Sequence, residues 1–254
     1  MSIAEKLTTI AENEQKVYNA GFEDGKTAEW NEMWDGLQIY GGKTDYTNFC
    51  ASSIFKLKDN NNKYYWNFKP KYDLTIKNGT GMFKSFNASS SGGINHAEIA
   101  VDLTQWLEDL GIAWITESLT NANAMFYNCQ GLTRAPFMNL SKCTANSSLY
   151  NFCGQSAVLT TIDGIESSED TAWVSSSFSG NNPLSHCIFS GVIGKNLNLS
   201  NTRLDHESLI SVLNCLKDIS GTGTTLTLTL GSTLLAKLTD TEKAIATQKG
   251  WTLN

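Results

Sequence analysis

The side chains able to do chemistry in this 254-residue chain are three histidines, six cysteines and 25 acids. His96, His186 and His206 are scattered and form no HExxH or paired metal spacing. His186 and Cys187 are sequence neighbours, so a strand points them to opposite sides and not into a nucleophile–base dyad. Gly154-Gln-Ser156 lacks the closing glycine of a nucleophile elbow, because Val158 stands in its place. Gly221-Thr-Gly223 has no lysine after it and reads as a turn, not a phosphate cradle. Glycoside cleavage needs two acids about 5–10 Å apart across a cleft. Glu98 with Asp102, or Asp163 with Glu166, are the candidate pairs, set against the commoner role of such residues as surface acids.

The cysteines follow a different logic. Cys50, Cys143 and Cys215 have no CxxC or Cys/His ligand spacing, whereas Cys129, Cys153 and Cys187 fall at or near corresponding positions of a repeat. Buried core thiols are the expectation, with no metal and no cofactor.

The region that invites a ligand is the Lys-aromatic stretch. Lys56, Lys58, Lys63, Lys69, Lys71, Lys77 and Lys84 alternate with Tyr64, Tyr65, Trp66, Phe68 and Tyr72. Aromatics stack on sugar rings and lysines meet acidic glycans, which makes Lys56, Lys58, Tyr64, Tyr65, Trp66, Lys69 and Lys71 candidate glycan or host-surface contacts. The plainer reading is a half-buried sheet whose lysines discourage edge pairing. Sequons at Asn78, Asn87, Asn139, Asn146 and Asn198 carry no weight without a secretory signal, and none is expected, since Glu5 and Lys6 interrupt any apolar run.

The elements that must position these residues centre on Ala124–Ile162. Ala124-Met-Phe-Tyr-Asn-Cys-Gln-Gly-Leu132 is echoed 24 residues later by Ser148-Leu-Tyr-Asn-Phe-Cys-Gly and Leu159-Thr-Thr-Ile162, with a weaker third copy from Ser176. Such periods belong to stacked repeats, so the predicted fold is α+β and β-rich: a short leucine-rich-repeat-like solenoid with an N-terminal helix and an α/β C-terminal cap. Residues 1–40 hold eight acids and three bases, a net −5 of the chain's −6. They open on the capping box Ser2-Ile-Ala-Glu5 and carry a thin seam, Ile3, Leu7, Ile10 and Val17, as the candidate oligomerisation face. A β-rich lead-in with one inserted helix is expected over 41–120, the repeats over 121–200 and the cap over 201–254. Asp102 and Gly111 should bound a helix, Asp205 should start another, and Thr239-Asp-Thr-Glu242 is a capping box.

Met125-Phe-Tyr-Asn-Cys-Gln-Gly-Leu-Thr-Arg-Ala135 resembles the signature of BspA-like leucine-rich repeat proteins. The acidic amino-terminal helix, the Thr44-Asp45-Tyr46 and Phe68-Lys-Pro-Lys-Tyr-Asp73 lead-in and the tail over 226–253 resemble, more narrowly, such proteins encoded in phages and prophages of gut Gram-positive bacteria. Pro136 inside a would-be strand, the missing aromatic-x-x-Cys of the third copy and an insertion at 163–172 depart from the pattern.

The resemblance implies a non-enzymatic virion structural protein, tail-associated and involved in host-surface binding, made in the host cytoplasm without a signal peptide. Its partners would be copies of itself, a trimer among the options, other virion proteins, and a host surface glycan or protein. The acidic balance argues against nucleic acid, and no segment is long enough to span a bilayer. A capsid-surface protein, an intracellular interaction scaffold and, last, a cell-wall glycan hydrolase are the alternatives.

Overall fold

A computed structural model describes residues 44–47, 56–58, 64–66, 72–86, 100–180 and 182–254. Strands β1 (Lys56–Lys58) and β2 (Tyr64–Trp66) form an antiparallel ribbon. All other strand pairs among the described residues are parallel. Strand β3 (Leu74–Thr75) pairs with β5 (Trp114–Ile115), and β6 (Phe126–Tyr127) with β9 (Cys153–Gly154). The largest sheet contains β4 (Val101–Asp102), β7 (Leu132–Ala135), β10 (Thr161–Ser167) and β11 (His186–Gly191) in the order β11-β10-β7-β4, with β8 (Met138–Asn139) also on β10. Strand β13 (Leu226–Thr229) lies between β12 (Leu197–Asn198) and β14 (Trp251–Leu253).

Among the described residues the expected solenoid is not found. The chain is mixed α/β, with four helices among the described residues and its strands divided over five separate sheets. The duplicated segments do lie side by side: the Phe126 amide donates to the Phe152 carbonyl at 2.8 Å, and the Cys153 amide to the Ser177 carbonyl at 2.8 Å. The pairing continues through β6 with β9 and β7 with β10, and past Ala135 and Ile162 the copies diverge. Pro136 has no N–H for a ladder, and β7 stops at Ala135. The residues after Ile162 prolong β10 to seven residues, while most strands have two to four. Copies of unequal strand length cannot continue one uniform sheet. The acidic helix expected over 1–40 lies outside the described residues.

One contiguous apolar cluster runs from Tyr46 to Trp251. Through it passes a file of rings, Phe83, Phe126, Phe152 and Phe178, at successive centroid distances of 5.5, 5.5 and 6.0 Å. Phe126, Phe152 and Phe178 stand 26 residues apart, two more than the sequence echo, which would set Phe126 against Tyr150, an exposed residue. The packing is edge-to-face or stacked aromatic contact.

The helices start and stop where local chemistry dictates. In α1 (Leu103–Leu110), Asp102 accepts from the Gln105 amide at 2.9 Å, and Gly111 closes the helix with φ of 65°, a conformation costly for other residues. Leu103 and Leu107, one turn apart, are its buried face. In α2 (His206–Cys215), Asp205 caps the Ser208 amide at 2.8 Å, while Leu209, Val212 and Leu213 are buried and the helix packs on β11. A short helix, α3 (Gly231–Leu235), follows β13 and was not foreseen from the sequence. The predicted Thr239–Glu242 capping box is formed and opens α4 (Asp240–Gln248).

The sequons have a structural use. Asn78, Asn139 and Asn198 each accept, through Oδ1, the amide and the hydroxyl of the Ser or Thr two residues on, at 2.6–3.1 Å. Asp45-Tyr-Thr47 and Asp218-Ile-Ser220 make the same turn with a carboxylate. The Asn-x-Ser/Thr pattern here is turn chemistry.

Candidate functional site

The half-exposed face of the five-stranded sheet gathers residues far apart in sequence. Strand β10 sends Ile162 and Ile165 into the core and leaves Thr161, Asp163 and Glu166 partly exposed. Against β11 its register shifts between Ile162 and Ile165, and its other edge meets β7 through Thr161 and Ile162 and β8 through Ile165 and Glu166.

The polar groups of this face are paired. Arg134 Nε donates to Asp163 Oδ1 at 2.5 Å, and its Nη1 lies 3.6 Å from Asp102 Oδ2. Thr104 Oγ1 donates to the other oxygen of Asp163 at 2.6 Å. The hydrogen bond to Asp163 raises the Arg134 guanidinium above its ordinary value. Asn139 Nδ2 donates to Glu166 Oε2 at 3.0 Å while its Oδ1 is held in the Ser141 turn. His186 Nδ1 lies 2.8 Å from Asp205 Oδ2, whose partner oxygen caps α2. Burial pushes the Asp205 carboxyl up, but hydrogen bonds from Ser208 and His186 outweigh it and hold the group below the ordinary carboxylate value.

Phe137 follows Arg134 and precedes Asn139 in the chain and meets β10 at Gly164, between Asp163 and Glu166. Its ring is 42 % exposed and rests over Gly164, where a Cβ would come within 3.0 Å of Cδ2 and 3.0 Å of the Ile188 carbonyl. A larger residue there would press the ring and the neighbouring strand outward by a few tenths of an ångström. An exposed aromatic beside polar side chains held by one another is an arrangement that can serve recognition. It suits acid–base chemistry less well, because Asp163 already accepts two hydrogen bonds and Glu166 one.

The other sequence candidates are dispersed. Asp102 serves as a helix cap, and Glu98 and His96 lie outside the described residues. His186 is partly exposed while Cys187 is buried, as alternation along a strand requires. His206 instead pairs with Glu242 at 2.8 Å, joining the starts of α2 and α4. Burial pushes the thiols of Cys129, Cys143 and Cys153 up to about 12 and that of Cys187 well above its ordinary value, which makes them poor nucleophiles. Among the described residues no group of three or more His, Cys, Asp or Glu gathers to hold a metal.

In the Lys-aromatic stretch, the ribbon pairs Lys56 with Trp66 and Lys58 with Tyr64, and Tyr65 with Leu57. Lys69 and Lys71 lie outside the described residues, as do Ile3, Leu7, Ile10 and Val17. Sequence reasoning missed Arg134, Phe137 and Thr104 as members of one face. The available signal was Pro136: a proline that breaks a strand directly before an aromatic marks where that ring leaves the sheet's alternation.

Comparison with protein-family models, with curated proteins and with solved structures gives no match.

Proposed function

We propose that the chain is a non-enzymatic structural protein of a phage particle, tail-associated, which binds the host surface through the face around Phe137. The observation that carries the binding mode is the exposed Phe137 ring seated on Gly164 of β10, the strand whose Asp163 and Glu166 are held by Arg134 and Asn139. Side chains already held by one another lose little freedom when a partner arrives, so such a face recognises at low entropic cost. The resemblance of Met125–Ala135, the lead-in and the tail to BspA-like proteins of phages and prophages supports the biological setting. The reading of Asp163 and Glu166 as hydrolytic acids is the weaker one, since both are engaged by neighbours.

The test has two parts. Mass spectrometry of purified particles should detect the protein, and its consistent absence would overturn the virion assignment. Phe137→Ala should weaken binding of the purified protein to host cells about tenfold, the loss of a central aromatic contact. Unchanged binding would remove this face from the reading.

A further inference from the structure

We draw no further inference here: the strongest candidate, the cleft of about 570 Å³ among Thr144, Asn146, Asp170, Trp173, Lys195 and Asn196, is lined by exposed polar side chains around an indole nitrogen that is shut off from the cleft, and nothing in the structure points to a ligand there.

Discussion

The face around Phe137 and the cleft beside Trp173 use polar side chains in opposite ways. On the face, Arg134, Asp163, Thr104, Asn139 and Glu166 satisfy one another, and the feature left for a partner is an aromatic ring. In the cleft the polar groups are held more loosely: Lys195 and Asp170 stand 3.8 Å apart, and Asn196 accepts one hydrogen bond, from the Thr227 amide. A surface whose polar groups are mutually satisfied is rigid and suited to a broad apolar contact.

The comparison can be tested from below, where both regions rest on the ring file. Phe152→Ala should destabilise the fold by about 3–5 kcal/mol in urea titration, because a fully buried ring between Phe126 and Phe178 leaves a cavity. Much less loss would show that the two regions do not share one packed support.

Next in size are two polar residues of the face chosen for contrast, Asn139 and Arg134. Asn139→Ala removes both the Ser141 turn and the donor to Glu166 and should cost about 1–2 kcal/mol. Arg134→Ala should cost less, up to about 1 kcal/mol, since that guanidinium is partly exposed and screened. Salt should reduce the Arg134 effect and spare the Asn139 one.

A pH titration of stability probes the edge of the face. Asp205 sits below its ordinary value in the folded chain, so its contribution is fully present above the unfolded carboxyl value of about 3.9 and is lost as pH falls through the folded one. Asp205→Asn, which retains an N-cap, should flatten stability specifically below about pH 4. An unchanged acid limb in urea titrations would remove Asp205 from the linkage. The smallest effect belongs to the cleft: Asn146→Ala should change stability by under about 0.5 kcal/mol, as expected of an exposed residue away from any packing role. A larger loss would mean that the cleft is as internally satisfied as the face.

Much of the local structure was legible. The caps at Asp102, Asp205 and Thr239 and the strand over 226–229 follow from residue type and spacing alone. The duplication was legible too, and its phenylalanines and cysteines do lie in one core. The inference from period to solenoid failed because it assumed equal strands. The proline after Ala135 and the long β10 made them unequal. The sequons showed the reverse error: a pattern set aside as uninformative proved to be a recurring turn device.

The candidate face was legible only in fragments. Asp102, Asp163 and Glu166 were picked out as acids, but nothing in their spacing showed that Arg134 and Thr104 would occupy Asp163, or that Asn139 would take Glu166. The cleft was not legible at all, because its lining comes from three loops and a strand separated by some 80 residues.

The sequence by itself determined where helices begin and end, which residues are core, and how the turns close, because those choices depend on neighbours within a few positions. The tertiary structure alone decided which polar groups are satisfied and which are left over. That balance depends on distances between strands and loops joined only by parallel pairing, and local sequence carries no record of them.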